Sequence, residues 1–409
     1  QLGRRIQMYI DHHALFAPIT KATMALKEGE IAETMRRALE IALTEPMGPI
    51  HLDLPEDVSI AICTETAPPP PTVTTQEAPS DEQIAAATKL LENANRPVAV
   101  IGSSAMRMTN PGLLRDFVEQ HGIPFATTTM AKGMIDEDHS LSIGCIERGR
   151  RQIQRAFLRD ADLIVGLGYD TIEVEFEAWV SDVKLLQIDI EKVDVAASVN
   201  VAGEVTGNLD ASLSRLSAIA SFANDWTDPK ISAHKDEFQT ALRPETDAFS
   251  PHQAIDAVRA ALPHDGVLAF DVGAHTHQIA GQWPAHAPRN FLITNGWSSM
   301  GFGLPAAIAA KIARPDLPVV CVIGDGCFQM TCGELATASR AGITLPVVVL
   351  DDRWLGLIKI KQSQRQFGEY GIELLPQEYS EPPAHYFGVP VVGVDSPDAL
   401  REAVTNALA

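Results

Sequence analysis

The chain reads as an α/β protein made of doubly wound parallel-sheet domains. Three observations predict this. Runs such as 97–101, 319–323 and 347–350 are apolar at successive positions, so both faces of each strand need cover, as in a parallel sheet. Helical patterns alternate with these runs, the order that βαβ units require. A proline-rich stretch and a polar stretch cut the 409 residues into pieces of domain size.

The elements follow in order. Residues 30–43 place Ile31, Met35, Leu39 and Leu43 on one helical face. The run 49–55 (PIHLDLP) alternates like a short strand and closes on Pro55. Residues 67–80 contain the proline run Pro68 to Pro71 and predict a stiff, extended linker. Residues 1–66 are therefore expected to be the end of a first domain, and 81–221 a second. The second has helical patterns at 81–93 and 111–121, and strands at 97–101, 163–166 and 183–190. Residues 222–248 are polar and interrupted and predict a second linker. The third domain, 249–409, predicts strands at 266–271, 291–294, 319–323, 347–350 and 391–394. Its predicted helices lie at 303–313, 331–341 and 397–408.

Composition narrows the function classes. At 45% hydrophobic and 21% charged residues the chain is globular rather than disordered or fibrous. Lys plus Arg is 32 against 53 for Asp plus Glu, a net charge of −21. That balance argues against nucleic-acid or anionic-membrane partners, whose phosphates need cations. No apolar run approaches the roughly 20 residues of a membrane helix. Five cysteines without a CxxC pair point to a reducing, cytoplasmic setting rather than a disulfide or zinc framework. The chain starts at Gln1 in what reads as mid-domain, which suggests a fragment.

Chemistry concentrates at strand ends of the third domain, where such sheets bind ligands. The run 319–324 ends in Gly324-Asp325-Gly326, followed by a helical pattern. Glycines let backbone N–H groups approach an anion, and Asp325 can hold a cation at the same point. The next strand ends in Leu350-Asp351-Asp352. If the strands are neighbours, Asp325 and Asp352 converge, and a carboxylate pair with backbone oxygens suits Mg²⁺ bridging to a diphosphate. A lone Gly-Asp-Gly is also an ordinary turn. The strand ending at Asp351 could be a Walker B strand, but no GxxxxGK[ST] loop occurs. No GxGxxG follows a strand, and neither HExxH nor GxSxG appears.

Together, Gly324-Asp325-Gly326, Asp351-Asp352 at that spacing and the run 301–308 (GFGLPAAI) resemble the signature of thiamine diphosphate (ThDP) enzymes. Within that family the chain is similar to the acetolactate synthase branch over its whole length. The stretches 17–21 (APITK) and 48–57 (GPIHLDLPED) resemble the end of the pyrimidine-binding domain. The stretches 122–133 and 161–168 resemble the central domain; 296–305 (GWSSMGFGLP) and 324–326 resemble the diphosphate-binding domain.

The resemblance implies cofactors ThDP and Mg²⁺ and a small 2-oxo acid substrate such as pyruvate, decarboxylated and then carboligated. It implies Asp325, Asp352 and the backbone carbonyl of Trp354 as Mg²⁺ ligands. Gly324, Gly326 and Cys327 would meet the diphosphate from one side, Ala274 and His275 from the other. Ser298 and Met300 would contact the cofactor, with Met300 as the apolar wedge beneath its bend. Leu357, Ile358 and Lys361 would line the substrate pocket, Lys361 standing where biosynthetic members have tryptophan. A homodimer or homotetramer is implied.

Three departures matter. The family's Asn-Asn is Asp351-Asp352 here, which, with the stretch 168–173 (GYDTIE), is similar to FAD-independent, catabolic members; whether FAD occupies the central domain stays open. The cofactor-activating glutamate has no match in this sequence, so no catalytic residue is assigned; the resemblance places it before Gln1. A last strand would likewise follow Ala409. Simple decarboxylation, acetyl transfer and an inactive cofactor-binding homologue are the alternatives. Glu30, Glu33 and Glu45 read as solvated acids, His12-His13 as surface or packing residues, His252 and His264 as loop residues, and His277 as pocket-facing.

Overall fold

The computed structural model describes residues 9–72, 76–169, 173, 182–374 and 382–409. It divides into two units, Gln1–Ala78 and Pro79–Ala409. In the first, strands β1 (Ala22–Ala25) and β2 (Ile50–Asp53) pair in parallel, with Thr23 opposite His51. The helix Ile31–Leu43 connects them. Its Met35, Leu39 and Leu43 remain exposed while Ala38 is buried.

The second unit holds two parallel sheets. One contains β3 (Pro97–Ile101), β4 (Phe125–Thr128), β5 (Ser142–Ile146), β6 (Leu163–Leu167), β7 (Lys184–Asp189) and β8 (Val201–Thr206), in the order β5-β4-β3-β6-β7-β8. Every residue of β3 and β6 is buried, as expected of strands covered on both faces. The helix Asp81–Glu92 opens with a capping box, Ser80 accepting from the Gln83 amide and Gln83 accepting from the Ser80 amide. The helix Gly112–His121 ends on Gly122 at φ 62°, a left-handed position that glycine takes without strain.

The stretch 222–248 departs from the expected linker. It contains the helix Asp228–Leu242, whose Ile231, His234, Phe238 and Leu242 are buried. Its apolar face is narrow and includes a histidine, so the periodicity is faint in the sequence. His234 is tied to Gln154 at 2.9 Å and packs on Phe157, and burial lowers its pKa to about 4.

The other sheet carries the candidate site. Strands β9 (Val267–Phe270), β10 (Phe291–Leu292), β11 (Val319–Gly324) and β12 (Val347–Leu350) run parallel in the order β10-β9-β11-β12. The run at 391–394 is not a strand: Val391 donates to the Ala384 carbonyl beyond a small hairpin of β13 (His385–Tyr386) and β14 (Val389–Pro390), and Val392 is exposed. Among the described residues the run makes that one bond to the hairpin and pairs with no strand of the parallel sheet. Among the described residues, no helix is long and apolar enough to cross a membrane.

The two sheets of the second unit share a buried ion pair. Lys132 meets Glu137 with both side chains at most 5% exposed. Glu137 also accepts from Thr127 Oγ1 at 2.7 Å and from the Ala285 amide at 3.0 Å, tying the central sheet to the segment that precedes β10.

Candidate active site

Strand order brings the carboxylates together. β11 and β12 are neighbours, with Gly324 paired to Leu350, so Asp325 and Asp351-Asp352 leave adjacent strand ends on the same edge. Asp325 begins the helix Asp325–Thr331 and is 7% exposed. Its Oδ1 accepts from the Gly326 amide at 2.9 Å, whereas its Oδ2 is buried with no hydrogen-bond partner among the described residues. Burial pushes its pKa up to about 7; the Gly326 amide opposes the shift, and the charges of Asp352 and Asp351 add to it. An orphaned carboxylate oxygen facing two further carboxylates is the electrostatic profile of a divalent-cation site.

Around it lies a close backbone cradle. A Cβ on Gly326 would sit 3.1 Å from a Leu355 methyl, 3.2 Å from one of Leu374 and 3.6 Å from Met300 Cε. A Cβ on Gly356 would sit 3.0 Å from Asp352 Oδ2 and 3.7 Å from Ala274 Cβ. One on Gly324 would press on the His275 ring at 3.1 Å. Ala274, His275, Met300, Gly324, Asp325, Gly326 and Asp352 therefore share one neighbourhood. Asp352 also accepts from the Trp354 amide at 2.9 Å, and the chain from Arg353 to Leu355 is pinned by hydrogen bonds to Ile372 and Leu374. Cys327 is buried and its thiol donates to the Val272 carbonyl at 3.0 Å; burial raises its pKa to about 12, so it is a packing group and not a nucleophile.

His275 opens the helix Ala274–Gln282. Its Nε2 is buried without a partner, and burial lowers its pKa to about 4, against the attraction of Asp271. A neutral imidazole with an unused nitrogen at a helix start suits a hydrogen bond to an anionic ligand.

Asp271 carries a structural role that the sequence did not reveal. It is fully buried at the end of β9; Oδ1 accepts from the Val272 and Gly301 amides at 2.7 and 3.0 Å, and Oδ2 from Gly303 at 2.7 Å. It thereby fixes the loop that presents Met300. A strand-end aspartate looks like any other in one dimension; only the folded loop shows the glycine amides that surround it.

Other expected residues stand further out. Ser298 is half-buried at φ 50°, and its hydroxyl lies 3.4 Å from the Gly296 carbonyl. Leu357, Ile358 and Lys361 lie on the helix Gly356–Gln364, with Ile358 and Lys361 exposed. His277 is paired at 2.8 Å with Glu147, in place of an open, pocket-facing position. Burial alone would raise the pKa of Glu147, but its hydrogen bond and attraction to His277 outweigh that and lower it.

Residues 271–409 match the thiamine pyrophosphate enzyme C-terminal TPP binding domain, and 84–216 match the central domain of the same enzymes. The chain is 29% identical to a probable acetolactate synthase large subunit of Methanococcus aeolicus, over 100% of this chain and 73% of that one. It is 30% identical to the acetolactate synthase isozyme 1 large subunit of Escherichia coli, over 89% and 65% respectively. For the large subunit of Lactococcus lactis the figures are 29%, 98% and 72%. The chain belongs to the acetolactate synthase-like thiamine pyrophosphate enzymes and is a ThDP-dependent enzyme.

Proposed function

We propose that the chain acts in Mg²⁺-dependent decarboxylation of a 2-oxo acid of the pyruvate type, followed by ligation to a second carbonyl compound. The observation that carries the metal assignment is the buried Asp325 Oδ2, with no partner among the described residues, beside the charges of Asp352 and Asp351 and the close cradle at Gly326. ThDP, when bound, supplies the electron sink for decarboxylation. Asp325 and Asp352, with the Trp354 carbonyl, would hold Mg²⁺ against the diphosphate. The Gly324 to Cys327 backbone and His275 would orient that diphosphate, Ala274 leaving room beside it. Met300, held by the loop that Asp271 fixes, would support the ring system.

The residues at the switch point of the central sheet do not suit a flavin phosphate. Glu173 accepts from the Ser103 amide at 2.6 Å and from Thr128, and a Cβ on Gly102 would meet Tyr169 Cα at 2.4 Å. A carboxylate already holds the amide that would greet an anion. Residues 170–172 of the stretch similar to FAD-independent members lie outside the described residues. We infer that catalysis is FAD-independent, and that the purified protein shows no flavin absorbance.

Exposed Trp297, Met300, Met330 and Ile358 fit coverage by a second subunit, hence a homodimer or homotetramer. Among the described residues the cysteines are all free, which fits a cytoplasmic setting. The function is tested by incubating the intact protein with pyruvate, ThDP and Mg²⁺. Acetolactate supports the proposal; acetaldehyde as sole product replaces ligation with simple decarboxylation, and no CO₂ release overturns both.

A further inference from the structure

The first unit contains a side-chain cluster to which the proposed function assigns no role. Strand β2 alternates, so His51 and Asp53 project from the same face. The short helix His12–Phe16, capped by Asp11, brings His12 and His13 against them, and Phe16 stacks on the His51 ring at 4.3 Å. His13 Nε2 lies 3.3 Å from Asp53 Oδ2, and His51 Nε2 lies 3.4 Å from Asp53 Oδ1. The potential ligand atoms of His13, His51 and Asp53 lie within 4.8 Å of one another.

Those separations are informative. A charge-assisted N–H···O bond is about 2.7–2.9 Å long. Tetrahedral Zn²⁺, with bonds of about 2.0–2.1 Å, separates its ligands by about 3.3–3.4 Å. His13 Nε2 and His51 Nε2 each stand at that separation from an Asp53 oxygen, Oδ2 for His13 and Oδ1 for His51, rather than at the distance of a tight ion pair. Around His13 the contacts also resemble the outer shell of a metal site, while the second ring nitrogen of His51, Nδ1, is buried with no partner among the described residues. His13 Nδ1 is held by Thr23 Oγ1 at 2.7 Å, which orients the ring and leaves Nε2 toward Asp53. His12 Nδ1 lies 3.0 Å from Asp53 Oδ1 and steadies the carboxylate. His12 and His13 are nearly half exposed, so an ion has a route in. The rings of His13 and His51 are edge to face, at 86°, so their lone pairs can converge. The other candidate cluster, Asp136, His264 and His286, lacks this property: its imidazoles are stacked at 3.8 Å and 17°.

We propose that His13, His51 and Asp53 form a site for a borderline divalent cation of the Zn²⁺ type, with a fourth position open to water or to a further ligand. These residues lie in the first unit, and Asp325 and Asp352 in the second. Two imidazoles and one carboxylate select such an ion over Mg²⁺, which prefers oxygen ligands.

Cobalt is the probe, because tetrahedral Co²⁺ absorbs visible light far more strongly than octahedral Co²⁺. The intact protein, stripped with chelator and desalted, is titrated with Co²⁺ in excess Mg²⁺. One Co²⁺ per chain with intense visible bands is expected, bleached by one equivalent of Zn²⁺. His51→Ala and Asp53→Ala should abolish the bands. So should His13→Gln, at a half-exposed position where a folding defect is not expected. Thr23→Val should weaken affinity about 10–100-fold. Asp325→Asn and Cys63→Ala should leave the bands intact. The proposal is overturned if the wild-type protein gives no such bands, or if they survive His13→Gln and His51→Ala.

Discussion

Replacing Asp325 with asparagine should make the metal-free protein more stable at neutral and alkaline pH. Asn keeps the shape and can still accept the Gly326 amide through its Oδ1. What it removes is a buried charge. In the folded protein burial pushes the Asp325 pKa up to about 7, from the 3.8 of an ordinary aspartate. Between those values the folded state binds more protons than the unfolded state, so unfolding free energy falls as pH rises. Each unit corresponds to about 1.4 kcal/mol. The full shift amounts to about 4 kcal/mol, and sharing with Asp351 and Asp352 makes about 2–4 kcal/mol realistic. The assay is urea unfolding with EDTA from about pH 4 to about pH 8, read as variant minus wild type. That difference cancels His234 and His275, whose lowered pKa values act in the opposite sense. It should be small near pH 4 and reach about 2–4 kcal/mol in favour of Asn above pH 7. Mg²⁺ should then stabilise wild type, by about 2.7 kcal/mol at a concentration 100 times Kd, and leave the variant unchanged. A difference that is flat with pH, or an Asn variant that is uniformly less stable, would refute the electrostatic reasoning.

Further outcomes follow from other contacts. Gly326→Ala should shift Tm little, because the neighbours at 3.1 and 3.2 Å are side-chain methyls that can yield, yet ThDP affinity by calorimetry should fall at least tenfold as the cradle fills. Asp271→Ala leaves the Gly301 and Gly303 amides without their partner and should cost about 2–4 kcal/mol in urea unfolding. Lys132→Ala strands the buried Glu137 carboxylate and should cost about 3–5 kcal/mol, while Lys132→Met with Glu137→Gln, which keeps an acceptor for Thr127 and the Ala285 amide, should recover part of it. For His234, the pKa lowered by burial means that the unfolded state takes up the proton first as pH falls below about 6.5. Stability is therefore lost on that acid limb, and His234→Gln should flatten it.

The site was legible where chemistry and topology coincide in sequence. Gly324-Asp325-Gly326 follows an unbroken apolar strand, and Asp352 ends the next one; their adjacency needs only that consecutive strands be neighbours, as β11 and β12 are. Asp271 was not legible, because its partners are backbone amides thirty residues on, set by a loop rather than a pattern. The helix Asp228–Leu242 was masked by His234, a polar residue in a buried seam. The strand expected at 391–394 fits the apolar pattern, but among the described residues only its Val391 amide bonds the neighbouring hairpin and the run joins no sheet. The His13, His51 and Asp53 cluster was hidden because two histidines and a strand aspartate are joined only by packing of the short helix against β2.

The central claim is that a carboxylate-bound cation holds the cofactor diphosphate at the ends of β11 and β12. Calorimetric titration of the intact protein with ThDP tests it most directly, with Mg²⁺, with EDTA, and for Asp325→Asn with Mg²⁺. The account predicts one ThDP per chain with Mg²⁺ and a loss of at least tenfold in affinity in the other two cases. Equal affinity in all three would contradict it.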